Sequence, residues 1–285
     1  MRVTTLTAEL AENVRRSVSC HGVKGVHDDS VVDSNMTQPP QAPELDIVIP
    51  VYNEGLGITR VLESFTRFVR TPCRVLICYD RDDDNTLPVT RAYPQDDFAI
   101  VSVKNRGRGA LGAVLTGFAA SGAPAVLMYP ADDDYNAPRI DEMARRCRDG
   151  ADIVVASRFA PGGCMEGCPW LKALLVRSSA WTLSRLARLP ARDPSNGLRV
   201  FSRRVLDTIP IESHVGFAYS IELLVKVHRL GWPIVEVPVE WHERTTGRSR
   251  FQVLKWVPQY LRWFMYAFAT TYLFQGPDTV RLKSV

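Results

Sequence analysis

Short runs of β-branched and other apolar residues alternate with amphipathic segments through the middle of the chain. The apolar runs lie near 45–51, 74–79, 99–103, 124–129 and 152–156, and helical periodicity appears near 56–70, 109–121 and 137–149. This alternation is typical of βαβ units, in which a helix connects successive parallel strands. The sequence therefore predicts an α/β fold, a mostly parallel sheet flanked by helices. A hydrophobic fraction of 46% is ample for its core.

The two ends of the chain depart from this pattern. Residues 1–43 are polar, contain TQPPQAP and show no sustained periodicity, so we predict a mostly disordered N-terminal arm. The α/β domain is expected to span 44–250, with further helices near 169–189 and 217–230 and a strand in PIVEVPVEW. Residues 251–285 are predicted to form an aromatic, basic helical tail.

The tail contains the longest apolar run, VPQYLRWFMYAFATTYLF. Gln259 and Arg262 interrupt it, so it falls short of the roughly 18 consecutive apolar residues of a spanning helix. Aromatic residues flanked by Lys255, Arg281 and Lys283 favour a helix that lies on a membrane surface. The alternative is packing on the body of the protein or on a second subunit of a homo-oligomer.

The cysteines and the N-terminus bear on the compartment. The six cysteines are scattered, and the N-terminal segment has no apolar core of signal-peptide length, which favours reduced thiols. Cys164 and Cys168 have no nearby Cys or His partners and are not expected to hold zinc. We therefore expect a peripheral protein at the cytoplasmic face of the membrane.

Polar residues follow four of the predicted strands. They are PVYNE at 50–54, YDRDDDNT at 79–86, NRGRGALG at 105–112 and ADDD at 131–134. In an open α/β sheet the ligand lies beyond the carboxyl ends of the strands, so these segments are expected at one edge.

The glycine-rich segment places Arg106 and Arg108 before a helix, where backbone amides and the helix dipole favour phosphate. Its spacing matches neither a Walker loop nor a dinucleotide fingerprint. Positive charge is also concentrated further along the chain. From Arg158 to Arg204 there are nine Lys or Arg against Glu166 and Asp193, which predicts attraction for anions.

Three consecutive aspartates, Asp132, Asp133 and Asp134, follow a buried run. Alternation along an extended strand end predicts Asp132 and Asp134 on one side and Asp133 on the other. Converging carboxylates suit Mg²⁺ or Mn²⁺, which prefer oxygen ligands and commonly bridge to phosphates. The alternative is that one aspartate caps the helix near Ala137 while the others are solvated.

An ordered set of segments resembles family 2 glycosyltransferases of the A-type fold. The set comprises IVIPVYNE, the Asp-rich turn after the second strand, NRGRGALGAVLTGF, the acidic motif after the fourth strand, and VVASRF. The later segments DPSNGLRVFSR, GFAYSIELLVKVHRLGWPIVEVPVEW and ERTTGRSR are similar to the dolichol-phosphate mannosyltransferase and polyprenyl-phosphate glycosyltransferase branch. The resemblance covers about residues 45–250 and implies a glycosyltransferase that uses a nucleotide-diphosphate sugar.

The resemblance also implies roles for individual residues. Pro50, Tyr52, Asn53 and Glu54 match the segment that holds the base and ribose of the donor, and Asp80 matches the aspartate of the family's second turn. The acidic cluster of Asp80 with Asp82–Asp84 could hold a base or ribose by hydrogen bonds, and the alternative is an acidic surface turn. Asp132 matches the last carboxylate of the family's D-x-D metal motif, whose first Asp is replaced here by Pro130, so Asp133 or Asp134 would supply the missing ligand. Residues that match positions meeting the donor diphosphate or the acceptor phosphate are Arg158, Arg177, Arg199, Arg244, Ser249 and Arg250.

These observations predict inverting, metal-assisted transfer of a sugar to a polyprenyl phosphate at a membrane surface, with no nucleic-acid partner. A lipid phosphate is already an anion and needs no strong base, only cationic positioning. A hydroxyl acceptor is the first alternative and would need a carboxylate base, Asp134 or Glu222. A non-catalytic sugar-nucleotide-binding protein is the second. Structural roles stay open for Arg158 and Arg199 as partners of the Asp clusters in a structural network, and for Glu222 as the i,i+4 partner of Lys226.

Overall fold

Seven strands form one mixed sheet in the part of the chain that the computed structural model describes, residues 42–242 and 253–284. The strands are β1 (Leu45–Val51), β2 (Cys73–Tyr79), β3 (Ala99–Lys104), β4 (Ala125–Met128), β5 (Ile153–Ser157), β6 (Arg199–Ser202) and β7 (Ile234–Pro238). Their order is β3-β2-β1-β4-β6-β5-β7, and only β6 runs antiparallel to its neighbours. The mostly parallel α/β fold predicted from the sequence is confirmed.

Eight α-helices accompany the strands in the described residues. They are α1 (Gly57–Phe68), α2 (Thr86–Ala92), α3 (Gly109–Ala120), α4 (Ile140–Arg148), α5 (Trp170–Trp181), α6 (Arg203–Thr208), α7 (Ala218–Arg229) and α8 (Val253–Tyr272). A 3₁₀ turn, Ala137–Arg139, precedes α4, and a π-helical turn, Thr182–Leu186, continues α5. The predicted N-terminal arm lies almost wholly outside the described residues, as do Arg244, Ser249 and Arg250.

The sheet separates two hydrophobic cores because alternate residues of a strand face opposite sides. Along β1, Val48 packs in one core, and Ile47 and Ile49 pack in the other. Helices α3, α7 and α8 cover the first core, and α1 and α4 cover the second. On α3, Gly117 leaves no room for a side chain, since a Cβ there would overlap Val48 and Cys78; this close approach seats the helix on the sheet.

Helix α8 packs on α7 through a buried Trp263, whose indole Nε1 donates to Ser213 Oγ at 2.9 Å. Its opposite side carries three exposed residues spaced four apart, Val257, Leu261 and Met265. The alternative prediction for the tail, packing on the protein body, therefore holds for one face of α8. The other face is an exposed apolar stripe. No helix in the described residues is both long and apolar enough to cross a membrane.

Candidate active site

The loops after β1 and β2 are joined by hydrogen bonds at the carboxyl edge of the sheet. Asp84, which is buried, accepts from the backbone N–H of Asn53 at 3.0 Å, and Thr86 Oγ1 accepts from the N–H of Glu54 at 3.0 Å. Asn53 has a φ of 56°, a left-handed conformation that asparagine tolerates better than most residues. The turn of the PVYNE segment is thus fixed by side chains of the next loop, with Tyr52 exposed beside it.

The glycine-rich loop is tied to β2 by Asn105. Its amide Nδ2 donates to Asp80 and to Gly109 O, while its Oδ1 accepts from the N–H of Gly107 at 2.7 Å. Asp80 is therefore bonded to a neighbouring loop at this edge, consistent with the predicted clustering of the polar segments. Arg106 and Arg108 are exposed, with Arg108 at the N-cap of α3. This arrangement leaves both guanidinium groups accessible to an anion.

The second acidic turn divides into surface pairs and a structural carboxylate. Asp82 pairs with Lys104 and Asp83 with Arg81, and all four side chains are largely exposed. Exposed pairs of this kind contribute little to stability because solvent screens them. Asp84 is the buried member described above, so the Asp-rich turn organises the edge of the sheet.

Asp133 is a structural residue, which corrects the expectation that it binds metal. The carboxylate is buried and accepts from Tyr129 Oη at 3.2 Å and from the backbone and side-chain nitrogens of Asn136 at 2.9 and 2.7 Å. Burial raises the pKa of Asp133, and the hydrogen bonds from Asn136 and Tyr129 oppose that rise. Both carboxylate oxygens point into the protein and are occupied by its own donors.

Asp132 and Asp134 lie at the protein surface instead. Asp132 is exposed, and Asp134 is half-exposed with Oδ2 3.5 Å from Arg60 Nε. No group of three or more His, Cys, Asp or Glu side chains in the described residues is arranged to hold a metal by itself. The donor set nevertheless fits Mg²⁺ or Mn²⁺, because such ions are commonly bound by one or two carboxylates together with substrate phosphates.

Arg158 forms a bidentate ion pair with Asp193. Its Nε lies 2.6 Å from Asp193 Oδ2 and its Nη2 lies 2.8 Å from Asp193 Oδ1, with Ser195 Oγ also 2.9 Å from Nη2. Asp193 is fully buried, and the Arg158 side chain is only 10% exposed. Arg158 is thus part of a structural network, as its alternative role predicted, but its partner is Asp193 and not a member of either Asp cluster.

Arg177 shares an aromatic ring with Arg158. The two guanidinium carbons lie 5.3 Å and 5.4 Å from the centre of the Phe159 ring, within the range of cation–π attraction. Arg177 is exposed on α5, whereas Arg158 is held in the protein. The structure therefore brings these two predicted site residues together and leaves Arg177 as the one accessible to an incoming anion.

Arg199 is buried completely, which corrects its assignment to a phosphate. Its Nη1 and Nη2 donate to backbone carbonyls, including Ser220 O at 2.5 Å and Asn196 O at 3.0 Å. Burial lowers the pKa of Arg199 to about 10. The side chain thus holds β6 to α7 and the DPSNG loop from inside the protein.

Glu222 is also excluded from the proposed role of a base. It is fully buried on α7, 2.7 Å from Lys226 Nζ at i,i+4, and it accepts from the backbone N–H groups of Glu212 and Ser213 at 2.6 and 2.8 Å. Its pairing with Lys226, the alternative reading of the sequence, is confirmed. The network also reaches α8, where Arg262 Nη2 lies 2.6 Å from Glu212 Oε2.

Sequence patterns did not identify Asn105, Phe159 or Asn136 as organisers of this site. Each is a single residue whose importance comes from a partner distant along the chain: Asp80 for Asn105, Arg177 for Phe159 and Glu240 for Asn136. No local motif encodes these contacts, although Asn105 and Phe159 lie in segments that the sequence had already singled out and Asn136 lies two residues beyond the ADDD segment.

The comparison with protein families decides the class of this protein. The model described as "Glycosyl transferase family 2" matches residues 46–210, more than half of the chain. The chain belongs to glycosyl transferase family 2. It is accordingly a glycosyltransferase, and the non-catalytic alternative is not supported.

Two curated relatives match most of the chain. Polyprenol monophosphomannose synthase of Mycolicibacterium smegmatis is 27% identical over 72% of this chain and 79% of the relative. Dolichyl-phosphate hexose transferase of Haloferax volcanii is 28% identical over 70% of this chain and 84% of the relative. The likeness to the polyprenyl-phosphate branch, noted from the later segments, is thereby confirmed.

A solved structure supports the A-type fold. Glucosyl-3-phosphoglycerate synthase from Mycobacterium tuberculosis, in complex with Mn²⁺, UDP-glucose and phosphoglyceric acid, superposes with a TM-score of 0.59 over 80% of each chain. At 17% identity, this likeness shows the fold alone.

Proposed function

We propose that this glycosyltransferase moves a sugar from a nucleotide-diphosphate sugar to a polyprenyl phosphate, with inversion at the anomeric carbon. The observation that supports a polyprenyl phosphate as the acceptor is the composition of α5. Arg177 is exposed on the same helix as Trp170, Leu171, Leu174 and Leu175, which are 53–77% exposed. A phosphate paired with Arg177 would therefore have its hydrocarbon chain beside an apolar surface. The names of both curated relatives support the same class of acceptor.

The donor would occupy the carboxyl edge of β1, β2 and β4. Asn53 and Glu54 have fixed backbones there, Asp80 lies at the end of β2, and Asp132 is exposed after β4. Asp132 and Asp134 are the residues that would hold Mg²⁺ or Mn²⁺, with Asp134 supplying the carboxylate lost at Pro130. When bound, the cation would neutralise the charge of the leaving diphosphate.

The proposed reaction requires the protein to position the acceptor and to stabilise the charge of the leaving diphosphate. A phosphate oxygen of the acceptor is already anionic, so it attacks the anomeric carbon without transferring a proton to the protein, and the nucleoside diphosphate leaves with the bonding electrons. Arg177 would hold that acceptor phosphate, and Asp193 would keep Arg158 in place beside it. The burial of Glu222 fits this scheme, because no general base is required at that position.

The same protein would work while docked on a membrane surface. Of seventeen large hydrophobic side chains exposed in the described residues, twelve lie on α5 and its π-helical turn or on α8 and the two residues after it. Tyr272 Oη donates to Leu186 O at 2.9 Å, which joins the two apolar regions. Between Trp170 and Arg192 there are five Lys or Arg and no acidic residue. Exposed apolar surface with surrounding cations suits anionic lipid headgroups.

A direct assay tests the proposed reaction. Purified protein is mixed with radiolabelled UDP- and GDP-sugars, Mn²⁺ and liposomes that contain a polyprenyl phosphate, and the label in the lipid phase is counted. We expect label in the lipid from at least one donor, and NMR of the product should show an anomeric configuration opposite to that of the donor. Label that appears only on an added hydroxyl acceptor, such as phosphoglyceric acid, would overturn the assignment of a lipid phosphate. Retained configuration would overturn inversion.

A further inference from the structure

Helix α5, which carries Arg177, packs little of its own length into the core. Ala180 is its one buried residue, and most of its other residues are exposed. Lys172 and Arg177 reach the rings of Trp241 and Phe159, but both contacts are made by long side chains with many rotamers, which constrain a helix axis weakly. The position of α5 therefore depends on what holds its C-terminal end.

The C-terminal end of α5 is held by α8. The π-helical turn that continues α5 and the residue after it bury Leu183 and Ala187 in the core that α8 covers. The last carbonyl groups of a helix have no partner within that helix. Here α8 supplies two donors, because Thr271 Oγ1 donates to Ala187 O at 2.6 Å and Tyr272 Oη donates to Leu186 O at 2.9 Å. Two adjacent side chains of α8 therefore fix the end of α5.

Helix α8 is in turn held to α7 by Arg229, which is only 5% exposed. Its Nε donates to Thr270 Oγ1 at 2.8 Å and its Nη2 donates to Tyr266 O at 2.7 Å, both on α8. Its Nη1 donates to Thr279 Oγ1 at 3.1 Å, in the segment that follows α8. A planar guanidinium with three such bonds fixes its partners in one geometry. The turn of α8 that contacts α5 is therefore fixed relative to the body of the protein.

We propose that Thr271 and Tyr272 are positioning residues, which join α5 to α8 so that both apolar surfaces meet the bilayer together and Arg177 lies at the depth of the lipid phosphate. This inference rests on the proposed function, since it concerns how Arg177 meets a polyprenyl phosphate in a bilayer. Helix α8 presents its exposed apolar stripe, and α5 presents Leu174 and Leu175 on the same helix as Arg177. A shift of α5 relative to α8 would displace Arg177 from the headgroups without removing any group that touches the acceptor.

The test compares the double variant Thr271→Val/Tyr272→Phe with a control that makes the same two chemical changes elsewhere. The control is Thr66→Val/Tyr93→Phe, because Thr66 Oγ1 and Tyr93 Oη are hydrogen-bonded at 3.1 Å on the side of the sheet that holds the second core. Hydrogen exchange in the C-terminal half of α5 and its π-helical turn should speed up in the double variant and stay unchanged in the control.

Kinetics then test the positioning role. For polyprenyl phosphate in liposomes, the KM of the double variant should rise at least fivefold. The KM for a short-chain polyprenyl phosphate dissolved without vesicles should rise less, because no bilayer fixes the depth of its phosphate. The calorimetric affinity for UDP or GDP with Mn²⁺, and sedimentation with phosphatidylglycerol vesicles, should both stay within twofold of the wild type. The control should match the wild type in all four measurements.

Each contrary result overturns a stated part of the inference. Unchanged exchange in α5 of the double variant overturns the joint between the two helices. Faster exchange with an unchanged KM, or an equal rise of KM in the control, overturns the positioning role. An equal rise for the liposomal and the dissolved acceptor overturns the role of the bilayer in setting the depth of Arg177. Failure of the wild type to transfer sugar to any polyprenyl phosphate overturns the proposed acceptor, and the positioning role with it, while the exchange result still judges the joint.

Discussion

Arg158 and Asp193 face each other through two parallel hydrogen bonds of 2.6 and 2.8 Å, with the carboxylate fully buried and the guanidinium nearly so. Asp193 also accepts from the backbone N–H of Arg158 at 3.0 Å, so it fixes both the side chain and the main chain at the end of β5. This geometry connects the DPSNG loop to the strand that precedes the Phe159 ring. The pair therefore supports the candidate active site from the protein interior.

Asp193→Asn should destabilise the protein strongly. Removal of one charge from a buried pair leaves the other uncompensated, which typically costs about 3–5 kcal/mol. Urea denaturation followed by circular dichroism measures the change in the free energy of unfolding. Asp83→Asn is the control, because its pair with Arg81 is exposed and its loss should leave the unfolding midpoint unchanged. Equal midpoints for the two variants would contradict the structural role of Asp193.

Asp132→Asn should abolish sugar transfer and weaken Mn²⁺ binding while the fold is retained. The side chain is exposed, and the substitution removes a negative charge with almost no change in volume. Electron paramagnetic resonance of Mn²⁺ in the presence of UDP or GDP reports the fraction of bound ion without reference to turnover. Asp82→Asn, on the turn after β2, is the control and should bind Mn²⁺ as the wild type does. Full activity of Asp132→Asn at saturating Mn²⁺ would show that Asp132 does not bind the metal.

The sequence predicted the parallel part of the fold well and the structural roles of buried charges poorly. Strands β1–β5 begin and end within one residue of their predicted bounds, because each is an apolar run between polar turns. Strand β6, Arg199–Ser202, begins with an arginine and ends with a serine and so has no apolar run, and α2 has only seven residues, too few for helical periodicity to reveal. The roles of Asp133 and Arg199 depend on whether each side chain points into the protein or into the cleft. The sequence motif is the same in both cases, so only the observed burial distinguishes them.

His228 should make the stability of the protein depend on pH near neutrality. Burial and then the neighbouring Arg229 lower the pKa of this histidine below its usual value of 6.5. The unfolded chain therefore binds a proton more readily, so His228 should reduce stability as pH falls from about 7 through 6.5 toward the lower folded pKa. Chemical denaturation at pH 7.5 and pH 5.5 should show a larger loss for the wild type than for His228→Gln. An equal loss in both proteins would exclude His228 as the source.

Leu175→Glu should weaken binding to anionic liposomes. Leu175 is 61% exposed on α5, so the substitution should not disturb the core, but it places a charge on the apolar face. Loss of one leucine from a membrane contact costs about 1.5–3 kcal/mol, or roughly a tenfold or greater loss of partitioning. Sedimentation with phosphatidylglycerol vesicles measures it. Val101→Glu, at an exposed site on edge strand β3, is the control and should sediment as the wild type does; equal sedimentation of both variants would move the membrane contact away from α5.

Arg177→Glu should damage use of the acceptor more than binding of the donor. Arg177 is exposed on α5 over the Phe159 ring, on the helix whose neighbouring residues form the apolar face, whereas the loops proposed to bind the donor lie at the ends of β1, β2 and β4. A carboxylate at this position would repel an incoming phosphate, so we expect the apparent KM for polyprenyl phosphate to rise at least tenfold. The calorimetric affinity for UDP or GDP with Mn²⁺ should stay within threefold. Arg185→Glu reverses a charge on the following π-helical turn and serves as the matched control for weaker electrostatic attraction to the bilayer. If both variants raise the acceptor KM equally, the effect arises from general membrane attraction; if Arg177→Glu instead weakens nucleotide binding, Arg177 belongs to the donor site.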